Sequence, residues 1–552
     1  MELMSLSRLK FEGEFDERVR RAIGHLNELN TDEMRMEFTH PTERWHWGAD
    51  YMSRWLGAMT LLSDYTGEDY GVDGVARELV DFQEADGSFG PFTNPHDEQE
   101  WFGMGRGLVG LLEYYQVRRD PAALESARRL GDYYVEHYPP EEEITELCEC
   151  YPSGLDGIVL LAHLTGEEKY LSLARTIAER SSVNQRRYYS TTVNEQGYRK
   201  PLVGHTHCQL LTAKGMIDLN NLFGDARFMP AVLDLHKYFL EDLMWISGGI
   251  PEFLQIPHLN ETCSDVDWLR LNLQLWKTTG EQVYFEIAEN ILLNQLYFDQ
   301  EEKGGFCFWR GLQGHMGATF DACCSHHGAR ALAEAMRYVY TFEPGVLQAN
   351  LFLEGAARID LDGSELAITC TVDYGNDTMV ISYALDSPPP TPFTYRLRVP
   401  EWAGSARLLV NTQDTASSVR PGYVEAKRTW SSGDRIELRL PMKVRVVRGR
   451  RHGQYVLDPN EVAVFYGPRL FCFVDIKNLA VVPPLVTLDL SEDIRPVEPS
   501  RLTAWATTVT GERVQIVLTP LADVGGRPNG IGRIHAVRTP HFNVWLPAAN
   551  AH

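Results

Sequence analysis

The side chains best equipped for chemistry fall in two short motifs, Glu261-Thr262-Cys263 and Cys323-Cys324. Thiolates and carboxylates are metal ligands, and a thiolate is also a strong nucleophile. Three thiolates and one carboxylate would complete a tetrahedral Zn²⁺ site, although the spacing is not that of a zinc finger. Reduced cysteines packed in a core are the plain alternative. His205, His207, His326 and His327 are further potential ligands, and Cys148-Glu149-Cys150 offers another pair. The chain has nine cysteines, an odd number, and two are adjacent, which suits free thiols or a metal better than disulfides.

Two carboxylates could act as acids or bases. Glu252 follows Gly248-Gly249-Ile250-Pro251 and precedes Phe253-Leu254. The glycines permit close approach of a ligand, and the apolar neighbours would raise the carboxyl pKa, as a general acid requires. Asp86, in Gln83-Glu84-Ala85-Asp86-Gly87, stands in an Asp-Gly that is more often only a turn. Trp45, Trp47, Trp101, Trp245 and Trp309 could stack on a sugar or fill a core.

What positions these residues is a helical repeat. Thr66-Gly67-Glu68, Arg119-Asp120, Thr165-Gly166-Glu167, Phe223-Gly224-Asp225 and Thr279-Gly280-Glu281 each end one helical pattern and begin another. Glycine suits the left-handed residue that closes a helix, and the acidic residue suits the positive end of the next. Twelve helical segments are expected up to about residue 342, of which the tenth and the twelfth follow the two motifs and begin at the cap-like Ser264-Asp265 and Ser325. Six such hairpins closed into a ring make an (α/α)6 barrel; an open solenoid is the alternative. The short turns alternate with long segments at 29–46, 85–102, 138–153, 183–203, 244–264 and 299–324. All the long segments then emerge at one end, and that end holds the chemistry.

From about residue 345 the apolar period becomes two, as in Tyr395-Arg396-Leu397-Arg398-Val399. The expected fold is therefore multidomain α + β. An (α/α)6 barrel over 1–342 would be followed by antiparallel, jelly-roll-like β-sandwich domains over 343–449 and 450–552. The net charge of −24 lies in the front part: residues 1–343 carry −25 and 344–552 carry +1. An acidic surface repels phosphate backbones, so nucleic acid is not an expected partner. No apolar run is long enough for a transmembrane helix and the first residues lack a secretory pattern, so a cytoplasmic location is expected, with a homodimer left open.

The sequence also resembles the β-L-arabinofuranosidase-like glycoside hydrolases of family 127. The likeness rests on the Gln83–Gly87 turn, Val203-Gly204-His205, Ile246-Ser247-Gly248-Gly249 running to Glu252, and the two cysteine motifs. In the β region it rests on Leu397-Arg398-Val399-Pro400-Glu401-Trp402, Trp430 to Asp434, and Val462-Ala463-Val464-Phe465-Tyr466-Gly467-Pro468. The resemblance implies a retaining exo-glycosidase acting on a glycan or glycoside. It makes Glu261, Cys263, Cys323 and Cys324 zinc ligands, Cys323 the nucleophile and Glu252 the acid/base. His205 would contact a sugar hydroxyl and Asp86 would position its loop or the substrate. The chain departs from the family where a Gly-His pair is usual, reading Trp101-Phe102-Gly103-Met104-Gly105-Arg106. Arg106 there could receive an anionic sugar or offset the negative charge of the metal site. A non-hydrolytic glycan-binding protein with structural zinc, and a sugar epimerase or isomerase using His205 and His327, are the competing functions.

Overall fold

The computed structural model describes residues 1–39, 49–90, 98–140, 150–183, 204–361, 363–449, 451–452, 455–456, 460–475, 486–529 and 534–549. Its helices are α1 (Gly13–Leu29), α2 (Asp32–Thr39), α3 (Asp50–Thr66), α4 (Val72–Asp81), α5 (Glu98–Arg118), α6 (Pro121–His137) and α7 (Leu155–Thr165). They continue with α8 (Glu168–Val183), α9 (Thr206–Phe223), α10 (Met229–Tyr238), α11 (Thr262–Thr279), α12 (Gln282–Asn290), α13 (Tyr297–Asp299) and α14 (Cys324–Met336). The expected turns close these helices: Gly67, Gly166, Gly224 and Gly280 have φ of 72°, 69°, 68° and 75°. Arg119, which breaks the glycine pattern, takes the same left-handed backbone at φ 58°.

Packing sorts the helices into two sets. Helix α3 lies against α5, α5 against α7, α7 against α9, α9 against α11, α11 against α14, and α14 back against α3. Most residues of α3, α9, α11 and α14 are buried on every side, as expected of helices wholly inside a protein. The partners α4, α6, α8, α10 and α12 each cover one of these helices and are polar on the other face.

The β-rich part is woven into the helical part. Residues 343–449 contribute to a five-stranded and a seven-stranded sheet. The N-terminal strands Glu2–Leu3 and Leu9–Phe11 add to their edges, pairing with Tyr340–Glu343 and Gly355–Leu361. The pairing is mainly antiparallel, with Phe393–Val399 running parallel to Val346–Ala349. A third sheet takes strands from two of the long segments expected to be loops. Pro251–Phe253 pairs with Ile256–Glu261, that strand with Cys307–Arg310, and Cys307–Arg310 with Gln313–Phe320. Gln313–Phe320 in turn pairs with Ile534–Asn543. Strand pairing thus crosses residues 342 and 449. One apolar core runs from α1 through the helices into both β regions.

Candidate active site

Both chemical motifs stand where a strand or loop enters a long buried helix. Glu261 ends the strand Ile256–Glu261 and precedes α11 with extended backbone, so Cys263 lies in the first helical turn. Cys323 immediately precedes α14, and Cys324 is its first residue. The helices start earlier than the Ser264-Asp265 and Ser325 signals suggested, and those side chains do other work. Asp265 accepts from the Ile250 N–H at 2.8 Å and from Asn260 Nδ2 at 2.6 Å, tying the Glu252 and Glu261 strands together. Ser325 donates to Asp321 Oδ1 at 2.8 Å and accepts from the Phe306 N–H at 3.1 Å. Two helix N-termini aimed at one point favour negative charge there.

The four expected ligands converge. Sγ of Cys323 lies 3.6 Å from that of Cys324, and Sγ of Cys263 lies 3.9 Å from that of Cys324. Oε1 of Glu261 is 3.8 Å from Cys323 Sγ and 3.9 Å from Cys324 Sγ. All four residues are buried, and their ligand atoms lie within 4.8 Å of one another. Such a set of donors could hold a metal ion. Two further groups of the same compactness adjoin it, His207 with Cys263 and His327, and His205 with Glu252 and Glu261.

The charges in the cluster are unequal. Burial opposes a charge on His205, but the Glu261 carboxylate 2.8 Å from its Nε2 prevails and raises it to about 9. Burial likewise opposes the Glu261 charge, and His205 overcomes it, holding that carboxyl at about 2. Glu261 therefore offers Oε2 to an imidazolium and Oε1 to the thiols. Burial pushes the Cys323 thiol up, but hydrogen bonds from Cys263 and Cys324 outweigh it and bring Cys323 down to about 7. Cys263 and Cys324 are displaced upward, chiefly by burial.

Glu252 sits on the strand Pro251–Phe253, beside the cluster, and is buried. Burial, then the nearby Glu261 charge, raise its carboxyl to about 7. The indole N–H of Trp309 donates to its Oε2. Phe253 bridges to the His205 backbone and packs on its ring at 5.3 Å between centroids.

Residues 50–337 match the family model described as the β-L-arabinofuranosidase GH127 catalytic domain, more than half of the chain. The chain belongs to glycoside hydrolase family 127. Residues 346–442 match the GH127 middle domain. Membership makes the chain a glycoside hydrolase, the class to which the first of the three expected functions belongs. A curated relative, the non-reducing end β-L-arabinofuranosidase of Bifidobacterium longum, is 22% identical over 444 residues, covering 70% of this chain and 67% of its own. A solved GH127 β-arabinofuranosidase is similar at TM-score 0.78 and 20% identity, covering 99% of this chain and 98% of the other. The GH127 β-L-arabinofuranosidase of Geobacillus stearothermophilus is similar at TM-score 0.77 and 17% identity, covering 98% of this chain and all of the other.

The remaining candidates of this family 127 chain are spread out. Asp86 is exposed, and its Oδ1 accepts from Ser88 N–H at 3.0 Å and Ser88 Oγ at 2.7 Å, which shapes its own turn. Trp101 is buried among Tyr133, Tyr134, Tyr138 and Tyr151. Arg106 is buried and ion-paired with Asp156 at 2.6 Å, and donates to the Ser153 carbonyl at 2.7 Å. The arginine against the cluster is Arg54, whose Nη1 lies 3.7 Å from Cys263 Sγ; no motif marks it in the sequence. His326 packs on Tyr51 at 4.9 Å and belongs to none of the compact groups. Cys150 lies 3.5 Å from Cys208, Sγ to Sγ, while Cys148, Glu149, Val203, Trp45 and Trp47 fall outside the described residues. Among the described residues no helix is long and apolar enough to cross a membrane.

Proposed function

We propose that this chain is a retaining exo-glycosidase that removes non-reducing-end β-L-arabinofuranosyl groups, with Cys323 as nucleophile and Glu252 as acid/base. The observation that carries the reading is the convergence of Glu261, Cys263, Cys323 and Cys324 beside a buried Glu252. Its substrate class is taken from the Bifidobacterium longum relative, by name a non-reducing end β-L-arabinofuranosidase. The circuit of helices from α3 through α14 and back supports reading the helical part as an (α/α)6 barrel. The sheets of residues 343–449 and beyond are then β-sandwich material attached to it, with domain limits near 342 and 449.

The donor set fits zinc. Sulfurs about 2.3 Å from a tetrahedral centre stand about 3.8 Å apart, and the thiol separations here are 3.6 and 3.9 Å. Bound by Glu261, Cys263, Cys323 and Cys324, Zn²⁺ would keep Cys323 a thiolate at neutral pH.

Cys323 Sγ attacks the anomeric carbon, forming a C–S bond as the glycosidic C–O bond breaks. Glu252 gives its proton to the departing oxygen. A carboxyl at about 7 is still partly protonated at neutral pH, which this step needs. The resulting carboxylate then takes a proton from water, whose oxygen attacks the same carbon and expels the Cys323 thiolate. Two inversions give net retention. His205, on the same wall, contacts a sugar hydroxyl, and the exposed ring of Trp309 supplies a stacking surface. Asp86 holds its own turn in shape, while the buried Trp101 and the ion-paired Arg106 support the packing of the helices.

Cys323→Ala tests the reading: turnover of an aryl β-L-arabinofuranoside should be abolished while the protein still binds some zinc. An active Cys323→Ala protein overturns it.

A further inference from the structure

Arg54 projects from α3 and is buried against the sulfur cluster. Its Nε donates to Asp50 Oδ1 at 2.6 Å, one helical turn back, which fixes the plane of the guanidinium. Nη2 lies 2.9 Å from His207 Nε2. Nη1 lies 3.7 Å from Cys263 Sγ and 3.4 Å from His327 Nδ1. The Phe102 ring covers the group at 5.5 Å from the guanidinium carbon.

An arginine donates and never accepts. His207 Nε2 must therefore present a lone pair to Arg54, which places the ring proton on Nδ1, where it is donated to Asp267. Asp267 is held in turn by Arg270 Nη1 at 3.0 Å. The result is a buried chain, Asp50–Arg54–His207–Asp267–Arg270, with one sulfur attached to it.

The choice of sulfur matters. Arg54 donates to Cys263, whereas Cys323 and Cys324 lie against Glu261 and each other. An arginine N–H withdraws charge from the thiolate that receives it, making that sulfur less basic and a poorer nucleophile, and unlike the S–H donors among the thiols it persists once a metal has displaced the thiol protons. We infer that Arg54 is a positioning residue that holds Cys263 as the resident ligand of the metal, leaving Cys323 as the sulfur that attacks. Arg54 also provides the counter-charge that the sequence offered to Arg106: three thiolates and a carboxylate around a dication leave a net charge of −2. This inference rests on the zinc and cysteine reading given under Proposed function.

Cobalt(II) substitution separates the two ideas, because thiolate-to-cobalt charge-transfer bands report the electron density on the sulfurs whether or not the protein turns over. Wild-type protein should take up one Co²⁺ with intense near-ultraviolet bands. Arg54→Gln should shift those bands to lower energy, weaken Co²⁺ and Zn²⁺ retention against a chelator by about 10–100-fold, and lower kcat more than it changes KM. Arg54→Lys keeps the charge with a single donor and should move every readout in the same direction by less. It also serves if Arg54→Gln does not fold. Bands and metal retention equal to wild type in the Arg54 variants that fold overturn the inference while leaving the metal reading intact. Wild-type protein without thiolate-to-cobalt bands overturns both.

Discussion

Trp309 donates its indole N–H to Oε2 of Glu252 from a backbone held at φ 57°, with 48% of its surface open to solvent. A bulky residue at positive φ is strained by about 1–3 kcal/mol. The strain is sustained by the pairing of Cys307–Arg310 with Ile256–Glu261 and by the Phe308 ring stacked at 4.4 Å. The same side chain thus meets solvent on one edge and the buried carboxyl on the other.

Trp309→Phe keeps a ring and deletes the donor. Burial and Glu261 hold the Glu252 carboxyl at about 7, and the indole acts against them. Without it Glu252 should titrate higher. Because the proposed mechanism starts from the protonated form, the alkaline limb of the kcat/KM profile should move to higher pH. Loss of orientation should lower kcat roughly tenfold. A pH–rate profile of the variant checks both; an alkaline limb that stays in place or moves down counts against the contact.

Glu252→Gln cannot give or take a proton. Turnover of glycosides with poor leaving groups should fall by about 10²–10⁴-fold, whereas an activated aryl glycoside should still release its phenol once per molecule. The glycosylated protein should then accumulate on Cys323, and intact-protein mass spectrometry after rapid quenching would detect it.

His205→Gln should loosen the metal. His205 holds Oε2 of Glu261 at 2.8 Å while Oε1 faces the thiols. Substituting the imidazole frees that carboxylate to turn. Metal affinity should drop by about 10–100-fold in chelator competition, and wild-type affinity in the variant would show that Glu261 needs no such support.

Glu14 on α1 joins Arg18 to Arg469, linking the first long helix to a strand late in the chain. Burial opposes the charge, but Arg469 and then Arg18 outweigh it and hold the carboxyl at about 2. A folded pKa below the unfolded one, about 4.3, gives stability that is present above the unfolded value and is lost as pH falls toward 2. Wild type should therefore lose more Tm than Glu14→Gln between about pH 5 and 3, by on the order of 1–3 °C for an exposed-edge pair. Parallel thermal melts across that range decide the point.

The helical half was readable because its signals are local. A left-handed glycine, an acidic start and an apolar stripe all fall within a few residues, and even Arg119 follows the pattern by position. The cysteine motifs were readable for the same reason, since each opens a long helix. Arg54 was not, because nothing in Ser53-Arg54-Trp55 distinguishes an arginine facing a sulfur from one facing water. Nor were the strands Pro251–Phe253, Ile256–Glu261, Cys307–Arg310 and Gln313–Phe320, which read as loops. Their partners are each other and Ile534–Asn543, and a pairing made across the chain leaves no period within one segment.

That last pairing bears on the order of events during synthesis. Gln313–Phe320 leads directly into Cys323, and its outer neighbour is not translated until more than two hundred residues later. While the ribosome is still making the β-rich part, the helices α3 to α11 can already pack, yet the strand that leads into Cys323 has an open edge. The sheet that leads into Cys323 is therefore completed only when residues 534–543 emerge and pair with Gln313–Phe320.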